Sequence, residues 1–116
     1  MEKLKELKIL NLAHNTIFHI QGLSELPLLQ SLTLSQNYLS EFSSLEHLGQ
    51  CSVTLTSIDL TDNKIVQDDK LFDLIQQVKC LYLMGNPLVR EVLHYRRTLV
   101  GKLKNLMYLD QRAVDQ

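Results

Sequence analysis

A short pattern of apolar residues occurs four times along the chain, and each copy contains an asparagine at the same place. The pattern is Leu/Ile-x-Leu-x-x-Asn-x-Leu/Ile, and its copies are LNLAHNTI at 10–17, LTLSQNYL at 32–39, IDLTDNKI at 58–65 and LYLMGNPL at 81–88. Apolar residues that alternate before each asparagine indicate a short strand with one buried face. The asparagine then predicts a turn at the end of each strand.

The four copies recur at nearly constant spacing. Consecutive asparagines lie 22, 26 and 23 residues apart, within the class of structural repeats of about 20–29 residues. The positions eight, five and three residues before each asparagine are always apolar: Leu7, Leu10, Leu12; Leu29, Leu32, Leu34; Leu55, Ile58, Leu60; and Val78, Leu81, Leu83. The pattern predicts a leucine-rich-repeat solenoid of α/β class, with a curved parallel sheet on its concave side and short helices or 3₁₀ turns on its convex side.

We expect the four asparagines to form a ladder inside this solenoid. They are Asn15, Asn37, Asn63 and Asn86. A side-chain amide has two N–H donors and one acceptor oxygen, so it can satisfy backbone groups of two neighbouring coils that would otherwise be buried unpaired. Ligand binding is the competing interpretation, but packing and hydrogen bonding explain all four positions without it. We therefore interpret the asparagines as structural.

The segments that follow the asparagines predict how each coil returns to the next strand. After the first two asparagines, apolar residues recur every three positions, which favours 3₁₀ or short helical turns. The third return segment, DDKLFDLIQQV, has apolar residues at helical spacing from Leu71 to Val78, and Asp68 or Asp69 can cap a helix there. The longer second interval has four extra residues around GQCSVTL, at 49–55, which should leave the strand register unchanged.

The pattern changes after residue 86 and predicts a C-terminal cap. Apolar residues spaced by four favour a helix, and a last degenerate strand and turn follow it. These positions are Tyr95, Leu99 and Leu103 for the helix, and Leu106, Leu109 and Asp110 for the strand and turn. A solenoid needs such a cap because its last coil would otherwise expose leucines and an unpaired strand edge to water.

The repeats and the cap together define the predicted domain organisation. We interpret residues 1–116 as one leucine-rich-repeat domain, with about four repeats over 7–86 and a cap over 87–116. The first coil begins at Leu7, with no recognisable N-terminal cap before it. We therefore expect the chain to be a fragment of a longer protein, and we expect its open N-terminal end to self-associate.

Composition and charge limit the class of protein. A chain of 116 residues with 45% hydrophobic content can form one compact domain, and a net charge of −1 gives no global signal for nucleic acid or an anionic membrane. The sequence contains neither a membrane-spanning apolar run nor a secretory signal, so we expect an intracellular protein without a membrane segment. Cys51 and Cys80 lie far apart in apolar segments, which favours reduced thiols.

The sequence lacks motifs that carry chemistry. Its four histidines show no HExxH spacing, no serine lies in a GxSxG turn, and its four glycines are too scattered for a phosphate loop. We therefore expect no enzyme activity, no metal, no cofactor and no small-molecule substrate. RNA binding also has little support, because the sequence has no Trp and no RNP-like aromatic series.

The residues that alternate with the buried leucines form the first candidate binding surface. Side chains of a strand point alternately to its two faces, so these residues should line the concave face. The candidate concave face comprises Ile9, Asn11, Ser31, Thr33, Ser57, Asp59, Cys80, Tyr82 and Met84. Most are small and polar, but Cys80, Tyr82 and Met84 make one end apolar, where an extended or helical partner could anchor. A merely solvated sheet is the alternative, and it fits the Ser/Thr strands nearly as well.

The cap contains a second candidate surface. The candidate basic cap patch comprises Arg90, Arg96, Arg97, Lys102 and Lys104, and Glu91 is the only acid among them. We favour a solvated helix face over a docking patch for an acidic partner, because charged residues with long apolar stems commonly cover such faces.

The C-terminal residues resemble the cap of the SDS22-like class of leucine-rich repeats. They contain Asn-Pro at 86–87, Tyr-Arg at 95–96 and Leu-x-x-Leu-x-x-Leu-Asp at 103–110, although Lys104 and Asn105 stand where the class often has Pro. Within that class, the segments MGNP, YRRT and YLDQRAV resemble the leucine-rich-repeat family of dynein axonemal assembly factors.

This resemblance implies a function that the repeat pattern alone does not. It implies a non-enzymatic protein-binding scaffold for the cytoplasmic preassembly of axonemal dynein arms in cilia or flagella. Its partners would be dynein chains, other assembly factors or chaperones, and it would reside in the cytoplasm and the cilium or flagellum. Two alternatives stay open: an SDS22-like regulatory subunit that docks a phosphatase, and a ribonucleoprotein-associated leucine-rich-repeat subunit whose basic cap lies near RNA.

Overall fold

Each repeat contributes one three-residue strand to a parallel sheet. The computed structural model describes residues 6–21, 23, 26–51, 54–110 and 112–114. The four strands are β1 (Ile9–Asn11), β2 (Ser31–Thr33), β3 (Ser57–Asp59) and β4 (Cys80–Tyr82). They pair in sequence order, and the register places Leu10, Leu32, Ile58 and Leu81 side by side. The predicted leucine-rich-repeat solenoid is confirmed.

Two further strands end the sheet. The strand β5 (Tyr108–Leu109) is parallel to β4, as the pattern around Leu109 predicted. The strand β6 (Arg112–Ala113) is antiparallel to β5 and was not predicted. A two-residue strand without alternating apolar residues leaves no periodic signal in a sequence.

The convex side carries short helices. They are α1 (Phe42–Leu45), a 3₁₀ helix (Glu46–Cys51), α2 (Asp69–Leu74), α3 (Leu88–Glu91) and α4 (Tyr95–Lys102). Asp68 caps α2, since its Oδ1 accepts a hydrogen bond of 2.9 Å from the Lys70 N–H. The predicted extension of this helix to Val78 is wrong: α2 ends at Leu74, and a turn carries Val78 to the start of the next coil.

The other predictions for the convex side fall partly outside the described residues. The second return segment is helical, as expected, and the longer interval leaves Ser31 paired with Ser57 in register. In the first return segment, the described residues show 3₁₀ geometry at Leu23 only. Within GQCSVTL, residues 52 and 53 and the side chain of Cys51 lie outside the described part, whereas Cys80 is a free thiol.

The repeated leucines form the core between the sheet and the convex side. In the second, third and fourth repeats the nine pattern positions are all buried, with at most 1% of each residue exposed. Such burial contributes about 1.5–3 kcal/mol per leucine or isoleucine relative to exposure. In the first repeat, Leu7, Leu10 and Leu12 are only partly buried, because the described structure places a neighbouring coil on only one side of them.

Three of the four asparagines bridge successive coils. Asn37 is buried, and its Nδ2 donates to Leu34 O of its own coil at 2.9 Å and to Leu12 O of the preceding coil at 3.0 Å. Its Oδ1 accepts a hydrogen bond of 3.0 Å from the Ile17 N–H of the preceding coil. Asn63 and Asn86 repeat this arrangement one and two coils further along. One side chain per coil thus satisfies backbone groups on both sides of a coil junction.

Asn15 does not occupy the buried position that we expected for it. It is exposed, and its Nδ2 donates to Leu12 O at 2.9 Å and Ala13 O at 3.1 Å, both in its own coil. The physical reason is that the described residues place no coil before the first one, so Asn15 has no preceding backbone to bridge within the described part of the chain.

The residue before each asparagine takes a left-handed backbone conformation. The φ angles are 60° at His14, 57° at Gln36, 57° at Asp62 and 82° at Gly85. This conformation turns the chain sharply, and in the second, third and fourth repeats it directs the following asparagine into the interior. At Gly85 a side chain would also be obstructed, because a Cβ there would overlap the Asp62 carboxylate and lie 3.1 Å from the Asp62 Cα.

Candidate protein-binding surface

The register of the sheet aligns the candidate concave residues in rows. One row contains Ile9, Ser31, Ser57, Cys80 and Tyr108, and the next contains Asn11, Thr33, Asp59 and Tyr82. In β2, β3 and β4 the central residue is buried while both flanking residues are partly exposed. The flanking side chains therefore lie on the face opposite the core, which makes the concave face one continuous surface.

Tyr108 belongs to this surface, although the sequence interpretation did not include it. It pairs with Cys80 across the sheet and is 46% exposed. The sequence contained the signal, because Tyr108 precedes the buried Leu109 as Cys80 precedes the buried Leu81. With Tyr82 and the 51% exposed Met84, it forms what we call the apolar end of the concave face.

The middle of the concave face is polar and anionic. A groove of about 410 Å³ lies there, lined mainly by Thr33, Ser35, Ser57, Asp59, Thr61, Asp62 and Tyr82. Asp59 Oδ1 accepts a hydrogen bond of 3.0 Å from the Thr61 N–H, which fixes the carboxylate at the end of its strand. Asn11 makes the equivalent bond of 3.0 Å with the Ala13 N–H. No lysine or arginine of the described chain lines this groove, so it presents two uncompensated carboxylates.

The five residues of the candidate basic cap patch lie in different environments. Arg96 and Arg97 line a groove of about 420 Å³ together with Arg112, which the sequence interpretation did not include. Arg90 lines another groove beside Lys64, and Lys104 is exposed in the turn that follows α4. The sequence spacing could not show this division, which depends on how α3 and α4 pack.

Two of the five basic side chains have partners, Arg96 within the cap and Lys102 in α2. Arg96 Nη1 donates to Leu109 O at 2.9 Å, and its Nη2 donates to Arg112 O at 3.0 Å and Ala113 O at 2.8 Å. Lys102 Nζ lies 3.4 Å from Asp69 Oδ1 and 5.7 Å from the centre of the Phe72 ring. Arg96 thus stabilises the hairpin of β5 and β6, a role that the sequence interpretation did not assign to it.

The Asp110 side chain accepts backbone hydrogen bonds at the edge of the sheet next to the apolar end. In the inner coils, the Leu34 and Leu60 N–H groups donate to backbone carbonyls of the next strand, each at 2.8 Å. At the last junction, Asp110 Oδ1 takes this place and accepts from the Leu83 N–H at 2.7 Å and the Met84 N–H at 3.2 Å. The backbone that carries Met84 is therefore fixed by the cap.

Tyr95 is hydrogen-bonded to the other oxygen of the Asp110 carboxylate. Its hydroxyl donates a hydrogen bond of 2.7 Å to Asp110 Oδ2. Burial of the ring, and secondarily this hydrogen bond to Asp110, raise the pKa of Tyr95 above its ordinary value. The helix α4 is thereby connected to the end of the concave sheet through one carboxylate.

Several sequence relatives of the chain carry the name dynein axonemal assembly factor 1. No protein-family model matches the sequence. The dynein axonemal assembly factor 1 homolog of Drosophila melanogaster is 44% identical over 97 residues, which are 80% of this chain and 6% of that protein. Dynein axonemal assembly factor 1 of Homo sapiens is 38% identical over 73 residues, 60% of this chain and 10% of that protein. The chain is a leucine-rich-repeat protein similar to the dynein axonemal assembly factors.

An algal relative extends this similarity. The leucine-rich repeat-containing protein ODA7 of Chlamydomonas reinhardtii is 39% identical over 74 residues, 61% of this chain and 17% of that protein. The leucine-rich-repeat chain therefore spans between 6% and 17% of the length of these three relatives.

Solved structures share the fold. A chain of the Drosophila melanogaster SNF/U2A' complex matches with a TM-score of 0.83 and 28% identity, over 98% of this chain and 65% of that chain. The leucine-rich-repeat domain of Mex67 from Chaetomium thermophilum matches with a TM-score of 0.65 and 20% identity, over 76% of this chain and 60% of that chain. The second likeness shows a common fold alone.

Metal sites and membrane-spanning helices are absent from the described residues. Within the described ranges, no three His, Cys, Asp or Glu side chains lie together in a way that could hold a metal ion. None of the helices found in those ranges has the length and apolar character needed to cross a bilayer.

Proposed function

We propose that this leucine-rich-repeat protein is a non-enzymatic binding scaffold in the cytoplasmic preassembly of axonemal dynein arms. The names of its sequence relatives support the process. The continuous concave face supports the binding role, and its apolar end is the observation that carries the proposal. Dynein chains, other assembly factors or chaperones are the proposed partners, and the cytoplasm and the cilium or flagellum are the proposed locations.

The concave face suits side-chain recognition by a protein partner. The backbone N–H and C=O groups of β2, β3 and β4 are paired with neighbouring strands, so a partner must contact the projecting side chains. Tyrosine and methionine are enriched in the cores of protein interfaces, where a few apolar anchors dominate affinity. Tyr82, Met84 and Tyr108 provide such anchors, and the polar groove beside them provides hydrogen-bonding groups.

Affinity purification from ciliated cells tests this proposal. The tagged chain should recover dynein chains together with assembly factors, and a Tyr82→Ala/Met84→Ala variant should recover far less. Loss of about 2 kcal/mol at an interface anchor corresponds to roughly a thirtyfold loss of affinity. Both side chains point away from the core, so the variant should keep the thermal midpoint of the parent.

The control variant is Arg97→Glu/Lys104→Glu, which reverses two exposed charges of the cap. It avoids Arg96, whose substitution would disturb the cap itself. Normal recovery with the concave variant and loss with the control would place binding on the cap and contradict the proposal. Recovery of a phosphatase catalytic subunit or of RNA, without dynein chains, would instead support one of the alternative functions.

A further inference from the structure

A second groove lies next to the apolar end of the concave face. Its volume is about 520 Å³, and it lies where the turns of the third and fourth coils meet the start of the cap. We call it the Met84 groove, and its principal side chains are those of Lys64, Met84, Pro87, Val89 and Arg90. It shares Met84 with the apolar end, so a partner bound there can continue into this groove.

The floor of the Met84 groove is held by hydrogen bonds of the asparagine ladder. Asn63 and Asn86 line it, and their amides are held by the ladder hydrogen bonds. Gly85 contributes no side chain, and the Asp62 carboxylate packs against it. The groove therefore exists before a partner binds, which reduces the ordering cost of binding.

The charged side chains that line the groove are two cations and one carboxylate. Lys64 and Arg90 are exposed, and within the described part of the chain neither side chain forms an ion pair or a hydrogen bond. Glu91 is the carboxylate that lines the groove, and its Oε1 already accepts a hydrogen bond of 2.8 Å from the Gln67 N–H. Two cations therefore stand beside the exposed thioether of Met84 without an acidic partner for either.

We propose that the Met84 groove binds an acidic segment of a partner protein, with a carboxylate beside Lys64 and Arg90 and a neighbouring apolar side chain against Met84. This inference rests on the proposed function, because it names the chemistry of the partner at one end of the concave face. An arginine can bind a carboxylate through two parallel hydrogen bonds, which gives direction as well as attraction. The apolar contact with Met84, Pro87 and Val89 supplies the rest of the binding surface.

The surrounding charges favour a protein carboxylate over a nucleic-acid backbone. Asp59 and Asp62 line the adjacent concave groove, and Glu91 lies within the Met84 groove itself. A continuous row of phosphates would run past these carboxylates and be repelled by them, whereas a single acidic residue next to an apolar one avoids them. The same repulsion fixes the direction of the segment, because its acidic residue is excluded from the side of Asp59.

A displayed library of random dodecapeptides, selected on the whole chain, provides a probe without a known partner. Peptides retained by the chain should be enriched in Asp or Glu next to an apolar residue. The most frequent one, synthesised and titrated, should bind at least about tenfold more weakly to Lys64→Glu/Arg90→Glu. Its affinity for Arg97→Glu/Lys104→Glu, a matched reversal of two other exposed cations, should be unchanged.

A charge exchange makes the test specific. The same peptide with its acidic residues changed to lysine should bind the Lys64→Glu/Arg90→Glu variant better than it binds the parent chain. Circular dichroism and the thermal midpoint check that the variant is folded. If the double reversal does not fold, Lys64→Ala/Arg90→Ala replaces it, and the loss of binding to the acidic peptide remains the readout.

Several results would overturn the inference. They are retention of no peptide, retained peptides without acidic enrichment, equal loss in both reversed variants, and a single-stranded RNA oligonucleotide that displaces the peptides and depends on Lys64 and Arg90. Binding that depends on Tyr82 but not on Lys64 or Arg90 would overturn the inference and leave the proposed function intact. Binding that depends on neither group would count against both.

Discussion

At the scale of single residues, the fold depends on amides that join coils which are distant in sequence. The Asn37 amide bonds backbone groups of two coils at once. An aspartate there would have no donor for Leu12 O and Leu34 O, and a glutamine would carry the amide one methylene too far. The requirement for donors and an acceptor at a fixed distance explains why the same residue type recurs in each repeat.

Replacing a buried rung should therefore destabilise the protein. Asn37→Ala should lower the free energy of unfolding by about 1–3 kcal/mol, because buried backbone groups lose their partners. The matched control is Asn15→Ala, whose exposed amide bonds only its own coil and whose removal should change stability by less than about 0.5 kcal/mol. Chemical denaturation measures both, and equal midpoints for the two variants would contradict this account of the ladder.

Gly85 provides a second prediction at the same scale. Gly85→Ala should destabilise by about 1–3 kcal/mol, because a side chain is strained at a φ of 82° and would overlap Asp62. Gly101→Ala is the control: apart from its chain neighbours and the backbone of α4, no atom lies within 4 Å of a Cβ at that position, and alanine favours a helix. That change should stabilise by about 0.5–1 kcal/mol. Differential scanning calorimetry would show thermal midpoints that move in opposite directions, and a drop for both would reject the argument from Gly85.

The sequence predicted the roles of some of these residues but not of others. The structural role of the asparagines followed from the repeat, because a polar residue that recurs among buried leucines is expected to be hydrogen-bonded. The exposure of Asn15 did not follow, because it depends on what precedes the first coil in space. The need for glycine at 85 depends on contact with Asp62 of another coil, which sequence spacing cannot show.

At the scale of secondary-structure elements, apolar spacing alone did not determine where a helix ends. The spacing from Leu71 to Val78 fits a helix, but the chain leaves the helix at Ile75 so that Val78 can enter the next coil. Apolar residues three and four apart are buried equally well by a helix and by a helix that passes into a turn. The strands were easier to predict, because a period of two has no such alternative in a three-residue segment.

The contact between α4 and the sheet predicts a stability that depends on pH. Tyr95→Phe removes the hydrogen bond to the Asp110 carboxylate and should destabilise by about 1.5–3 kcal/mol. Because the folded state raises the pKa of Tyr95, it keeps this proton more strongly than the unfolded chain, whose tyrosine has a pKa of about 10. The stabilisation is therefore complete below pH of about 10 and is lost as pH rises further.

Denaturation at a series of alkaline pH values measures this dependence. The parent chain should lose stability more steeply with rising pH than the Tyr95→Phe variant. Tyr38→Phe serves as the control, because Tyr38 is 55% exposed and forms no described side-chain hydrogen bond. A Tyr95→Phe variant with the same alkaline slope as the parent would exclude Tyr95 as the titrating group.

At the scale of the whole molecule, the two ends of the sheet differ. At the C-terminal edge, β6 pairs with β5, and Arg96 donates hydrogen bonds to the Arg112 and Ala113 carbonyls of β6. At the other end, β1 pairs only with β2 among the described strands, and Ile9 is 70% exposed. An apolar cavity of about 170 Å³ lies in the first coil beside it, lined by leucines and isoleucines such as Leu10, Ile17 and Leu26.

The edge of β1 that no described strand covers predicts self-association of this chain. Light scattering should show a mean mass that rises with protein concentration, since an unpaired strand beside apolar surface favours pairing with another chain. Ile9→Lys should suppress the rise, because a charge on an edge strand opposes such pairing. A matched change at an exposed leucine far from this edge, Leu93→Lys, should leave the rise in place. A constant monomer mass at every concentration would contradict the prediction.

The global architecture was the most predictable level, and the surfaces were less so. Each coil contacts mainly its neighbours in sequence, so a repeat read along the chain fixes the order and register of the strands. The concave rows followed from the same register. The division of the basic residues did not follow, because Arg96 bonds carbonyls of residues 109, 112 and 113 and Arg90 lies beside Lys64 of another coil.

The asparagine ladder also affects how the molecule deforms under load. Ladder amides and strand hydrogen bonds join the coils along the concave side, whereas α1 and α2 on the convex side meet through packing. Directional hydrogen bonds resist stretching more than apolar contacts, which can slide. The concave side should therefore be stiffer than the convex side. A bound partner could then decrease or increase the curvature of the solenoid by moving the convex helices apart or together. The curvature of the solenoid would then be elastic, and the convex side would deform more easily than the concave side.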